Sequence, residues 1–229
     1  MNLNDTRPSE QQIIATIETR AIQIAEKFTA EEGDSRECLL GINIRPVDDG
    51  STIISASDGV RLISIRQRPP CFANREINLW LENFPDDYAE EFDHALILGD
   101  GSITLKAAYA MQTIPGNNFI NSHKQFPRAE KFLNFEGYEQ GIKGWFNPQL
   151  LKSCLDSFNS LNQPVISFWS KTEKEAMLFH GQEAKQTSSE DLEIAGAIMP
   201  MNPSVFHPKP APWSWLPKSA EAEDKPQSP

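Results

Sequence analysis

Two stretches of the chain, 9–66 and 141–199, carry the same order of signals, a helix pattern followed by three strand patterns. This repeat limits the fold more than any other feature. In the first copy Ile14, Ile17, Ala21, Ile24 and Phe28 recur at three- and four-residue steps, which predicts a helix over 10–28. Strands are predicted over 38–45, 52–56 and 60–66. Asp48-Asp49-Gly50 and Asp58-Gly59 join them, because Asp-Gly tolerates the positive φ of tight hairpins. In the second copy 142–146 reads as a strand, and Asn147-Pro148 as a helix N-cap with proline at the first helical position. Leu150, Leu151, Cys154, Leu155 and Phe158 then form one apolar face, and strands follow over 165–169, 176–180 and 192–199.

The region between the copies is broken by Pro69, Pro70 and Pro85, leaving room for a short strand over 77–81 and a short acidic helix over 86–92. Gly99-Asp100-Gly101 marks a hairpin between strands over 95–98 and 102–107, with a further strand over 109–114. The expected class is α+β, with antiparallel sheet and one helix per unit packed on the same face. From Asn202 onward seven prolines prevent both helix and ladder, and Trp213-Ser214-Trp215-Leu216 is the one apolar cluster in that tail.

Composition narrows the function. Lys and Arg total 21 against 32 Asp and Glu, a net charge of -11, which disfavours bulk attraction to nucleic acid or an anionic membrane, so any DNA contact must be a local patch. No basic-then-apolar leader and no run near 20 apolar residues occurs, so the expected compartment is the cytoplasm. Cys38, Cys71 and Cys154 are odd in number and far apart, which predicts free buried thiols. His94, His123, His180 and His207 stand without ligand-spaced partners, so no metal is expected. There is no nucleophile elbow and no phosphate loop, and the acidic pairs Asp86-Asp87 and Glu90-Glu91 read as a solvated face. A non-enzymatic protein without cofactors is expected.

Four segments, in order, resemble the bacterial DNA polymerase III β subunit, the sliding-clamp family. Ile54-Ser55-Ala56-Ser57-Asp58-Gly59-Val60-Arg61-Leu62 resembles the strand–turn–strand signature of that family's middle domain, with Val60 where a His is usual. Phe126-Pro127-Arg128-Ala129-Glu130-Lys131-Phe132 is similar to the segment closing that domain. Phe146-Asn147-Pro148-Gln149-Leu150-Leu151 resembles the entry to the last helix, and Ile198-Met199-Pro200-Met201 the near-terminal apolar-Met-Pro-Met sequence. The resemblance implies a sliding-clamp fold with a middle-type domain over 9–135, the second half of a C-terminal-type domain over 136–201 and a Pro-rich tail over 202–229, without the family's N-terminal domain.

It also implies a peptide-binding pocket made of Ser57, Gly59, Val60, Arg61, Leu62, Pro127, Phe132, Ile198, Met199, Pro200 and Met201. There methionines would adapt to apolar partners, Gly59 would let a peptide backbone approach and Arg61 would bond its carbonyls at the rim. The implied partners are a DNA polymerase or other proteins with clamp-binding motifs. Double-stranded DNA would be held weakly and non-specifically by Arg20, Lys27 and Lys152 on the helix faces, within a homo-oligomer. The alternative is an adaptor that keeps the pocket and does not encircle DNA.

Overall fold

The computed structural model describes residues 12–85, 87–120, 125–158, 164–183 and 192–201. The expected tail, 202–229, with its tryptophan cluster, lies outside the described residues. The first half contains β1 (Ile13–Glu18), α1 (Thr19–Glu26), β2 (Ile42–Pro46), β3 (Thr52–Ser57), β4 (Arg61–Gln67), β5 (Phe72–Ala73) and β6 (Ile77–Leu79). After these come α2 (Tyr88–Glu91), β7 (His94–Leu98), β8 (Ile103–Lys106), β9 (Met111–Ile114) and β10 (Glu139–Gln140). The last elements are α3 (Pro148–Asp156), β11 (Pro164–Ser170), β12 (Met177–Glu183) and β13 (Glu193–Ile198).

The beginning of the chain corrects the sequence expectation. In place of one helix over 10–28, β1 leads into the eight-residue α1. Ile13, Ile14, Thr16 and Ile17 are β-branched and stiff in a helix. In β1 they find partners on both sides, β5 and β7, with Ile17 opposite Ala95. The stripe of Ala21, Ile24 and Phe28 does face the core as a helix surface should, each with no exposed area.

Among the described residues all the strands join two antiparallel sheets, one of five strands in the order β5-β1-β7-β8-β9, the other of eight in the order β10-β11-β12-β13-β4-β3-β2-β6. The two sequence repeats meet where β4 pairs with β13, Ile65 opposite Ile194 and Leu62 opposite Ala197. Strand alternation then assigns each residue a face. On the face that takes the helices, Ile44, Ile54, Ile65 and Ile194 form one line across four strands, and Ala56, Ile63, Gly196, Phe179 and Phe168 form the next. Gly196 leaves the space that Phe179 fills, since a Cβ there would overlap the phenyl ring and lie 2.6 Å from the Leu62 carbonyl oxygen.

Phe179 in turn lies 6.3 Å from Phe28, just past α1, and 5.9 Å edge-on from Phe158, just past α3. Both helices therefore pack on one face, as the repeat predicts. Helix α3 opens as expected, Asn147 accepting the Gln149 N–H at 2.9 Å with Pro148 following. The expected strand over 142–146 is instead an irregular loop after the two-residue β10, because Gly141 and Gly144 take φ of 127° and 91° and Gly144 lies too close to the Glu173 backbone for a Cβ. All three cysteines are buried, and burial pushes the Cys154 thiol up to about 12.

Candidate functional site

On the opposite face of the eight-stranded sheet, Ser57, Leu62, Ala197, Leu178 and Trp169 form a row across β3, β4, β13, β12 and β11. The segment over 125–138 crosses this row. Its Ala129, Leu133, Phe135 and Tyr138 pack on Leu62, Leu178 and Ala197, and Phe135 meets Trp169 edge-on at 6.2 Å. Between the segment and the end of the row lies a cavity of about 670 Å³.

Eight of the residues expected there line it with their partners in space: Ser57, Gly59, Val60, Arg61, Leu62, Pro127, Phe132 and Met199. Val60, Phe132 and Met199 are 44%, 57% and 50% exposed, so three large apolar side chains face solvent around one opening. The turn below them is rigid. Asp58 Oδ1 accepts the N–H groups of Val60 and Arg61 at 2.8 and 2.6 Å, and Ser57 Oγ accepts the Gly59 N–H at 3.0 Å while donating to the Arg61 carbonyl at 2.7 Å. Met199 is set by its N–H, which donates to the Val60 carbonyl at 2.9 Å and prolongs the β4–β13 pairing.

Three of the expected residues, Ile198, Pro200 and Met201, do not line the cavity. Arg61 borders the cavity, but its guanidinium is engaged on the helix side: Nη1 donates to Ser153 Oγ on α3 at 2.9 Å, Nε to Asp58 Oδ2 at 2.8 Å, and Cζ lies 5.2 Å from the Phe28 ring centre. It lines the cavity and also clips helices to sheet, its Nε and Nη1 being engaged within the protein. Ile198, next to Ala197, points the other way and is fully buried in the helix-side core. Pro200 and Met201 lie beyond the lining, the Met201 N–H tying the chain to the Trp145 carbonyl at 2.7 Å. The space over Gly59, whose φ is 86°, is taken by the Arg36 side chain, which donates to the Asp58 carbonyl at 3.0 Å and pairs with Asp34 at 2.6 Å.

Residues that sequence reasoning missed complete the wall, among them Leu39, Gln125, Lys131, Tyr138, Lys174, Glu175 and Ala176. Only Ala197 had a signal, being two residues before Met199 on the same strand face. Glu175 Oε2 is buried without a hydrogen-bond partner among the described residues. Burial and this neighbouring carboxylate hold the Tyr138 phenol above its ordinary range.

The expected DNA contacts are thin. Arg20 Nε donates to Glu18 Oε2 at 2.6 Å and Lys152 Nζ to Asp156 Oδ2 at 2.6 Å, while Lys27 is exposed. Arginines are more frequent around the other sheet face, where Arg45 pairs with Glu130, Arg66 with Asp49 and Glu193, and Arg128 with Glu76.

Neither a protein-family model nor a curated protein matches the sequence. Solved structures do match. The DNA polymerase sliding clamp of Pseudomonas aeruginosa superposes with a TM-score of 0.59 at 15% identity, over 88% of this chain and 70% of that one. The fold is that of a DNA sliding clamp. The β subunit of DNA polymerase from Streptococcus pyogenes agrees with a TM-score of 0.57 at 10% identity, over 86% of this chain and 69% of that one. The H. pylori β clamp in complex with diflunisal gives 0.56 at 10% identity, over 83% and 67%. The chain thus spans about two thirds of the length of these sliding clamps.

Proposed function

We propose that this protein serves DNA replication or repair as a clamp-like, non-enzymatic binder of short apolar peptide segments from a polymerase or other partner proteins. The observation that carries the reading is the cavity where β4 meets β13. It joins residues from sequence segments more than 130 positions apart, and it exposes Val60, Phe132 and Met199 around a buried floor of Leu62 and Ala197. Such a surface takes apolar anchors. The clamp fold supports the assignment, as do the clamps of Pseudomonas aeruginosa and Bartonella birtlesii, whose structures hold bound griselimycin.

The test is a fluorescence titration with a labelled peptide carrying two adjacent large apolar residues, with griselimycin as a second probe. Micromolar affinity is expected for the peptide, about -8 kcal/mol. Met199→Ala and Phe132→Ala should each weaken it by about 1–2 kcal/mol, since both side chains are half exposed in the free protein. Curves unchanged by both variants would remove the cavity from consideration as the binding site.

Of the two roles, the adaptor that does not encircle DNA is favoured by one specific observation. Of the three cations expected to touch phosphates, two are held by nearby carboxylates, Arg20 by Glu18 at the end of β1 and Lys152 by Asp156 one turn on in α3. DNA binding by the chain is therefore expected to be weak, indifferent to sequence and lost as salt rises from 50 to about 200 mM. A gel-shift or anisotropy series over that range checks it, and a tight footprint at the upper end would reinstate DNA as a principal ligand.

A further inference from the structure

The last described residue lies close to the cavity. Met201 donates its N–H to the Trp145 carbonyl at 2.7 Å, two positions after Met199, which lines the cavity and is half exposed. Residues 202–229 therefore start from the edge of the site. They hold two of the chain's five tryptophans, in Trp213-Ser214-Trp215-Leu216. Pro212 and Pro217 bracket these four residues, and a proline holds the residue before it in extended backbone. Extended backbone turns Trp213 and Trp215 to one side, so that one opening can take both.

The cavity suits such an occupant in size, polarity and charge. A volume of about 670 Å³ falls within the roughly 300–1,000 Å³ of cavities that enclose small apolar ligands, and Val60, Phe132 and Met199 present apolar surface around its opening. Indole rings gain most from cover of this kind, and a methionine sulfur is a favourable neighbour for an aromatic ring. Lys131 and Lys174 stand exposed in the wall, local cations on a chain whose net charge is -11. The acids of the tail, Glu221, Glu223 and Asp224, cluster within eight residues after Leu216, whereas its lysines, Lys209, Lys218 and Lys225, are spread along it. The cluster can therefore meet the two wall lysines once the tryptophans are in place.

Trp213 is twelve positions on from Met201, and a linker of that length spans up to roughly 40 Å when extended, ample to turn back on the cavity. We propose, on the reading of the cavity as a peptide site, that residues 213–216 are its resident occupant: the tail folds back on its own chain, and a partner's peptide enters by displacing it. Tethering sets an effective concentration on the order of 1 mM. A segment with an intrinsic dissociation constant of ~100 μM then fills its own cavity in about nine molecules of ten, and lowers the apparent affinity of a free peptide about tenfold. The tail of a second copy reaches the same occupancy only near millimolar protein, so the contact within one chain prevails.

The experiment compares the full chain with a full-length variant carrying Trp213→Ala and Trp215→Ala, which keeps every residue of the sheets and the cavity. Titrated with the labelled apolar peptide, the variant should bind about tenfold more tightly than the parent, by a ratio that does not change between roughly 0.1 and 10 μM protein. A labelled peptide of residues 209–224 should bind the variant with a dissociation constant on the order of 100 μM, and several-fold more weakly once Met199→Ala is added. Equal affinity of parent and variant for the apolar peptide overturns the proposal and leaves the function of the cavity standing. A ratio that falls on dilution overturns it too, by making the occupant a second copy, as does a tail peptide whose binding Met199→Ala leaves unchanged. If the apolar peptide binds neither protein while the tail peptide binds through Met199, the occupant is upheld and the reading of the cavity as a partner site fails.

Discussion

Phe179→Ala is expected to cost about 3–5 kcal/mol of folding stability, read as a lower midpoint in urea with little change in slope. The ring is fully buried, fills the space that Gly196 leaves on β13, and touches Phe28 beyond α1 and Phe158 beyond α3. One side chain thus joins the helix of each sequence repeat to the shared sheet. Against a total of about 5–15 kcal/mol for a domain, such a loss leaves a protein close to unfolding at physiological temperature. Phe132→Ala removes the same group from a half-exposed rim and should stay within about 0.5 kcal/mol of the parent. Equal effects for the two variants would mean that Phe179 does not hold the helices.

Arg61→Ala is expected to destabilise by about 2–3 kcal/mol and to leave the affinity of the folded protein for apolar peptides within about twofold. The guanidinium is a partly buried tie among β4, the Asp58 turn, Ser153 of α3 and the Phe28 ring. Removing it takes the charge partner from the partly buried Asp58 carboxylate and the donor from the Ser153 hydroxyl. A rim residue would behave in the opposite way, losing affinity and keeping stability. Paired measurements of urea midpoint and peptide affinity on the one variant therefore decide between helix-side and cavity-side placement of Arg61.

Most of the strands, the Asp-Gly turns and the capped start of α3 were legible because each rests on contacts within a few residues: a period-two pattern, a positive φ that glycine accepts, an Asn side chain reaching the N–H two positions on. The repeated unit was legible for the same reason, as was the fold class it implies. The start of the chain was not, because Ile14 and Ile17 are spaced alike for a helix face and for a strand buried on both sides. What settles them is β5 and β7, some 55 to 85 residues away. The loop at 142–146 escaped because its aromatic and aliphatic residues suit a strand, whereas Gly144 is held by its close approach to Glu173.

The candidate site divides along the same line. Sequence by itself determined the chemistry of its parts, an Asp-Gly turn with Leu62, a Phe-Pro segment, and Met199 at a strand end. Even the error at Ile198 was open to correction, since neighbours on a strand point to opposite faces and Met199 already claimed the cavity side. Only the tertiary structure decided that β4 and β13 pair, that the segment over 125–138 crosses their outer face, and that Tyr138, Lys174 and Glu175 close the wall. Those contacts join segments far apart in the chain through non-directional burial, whose free energy depends on the area covered and not on which apolar neighbour covers it.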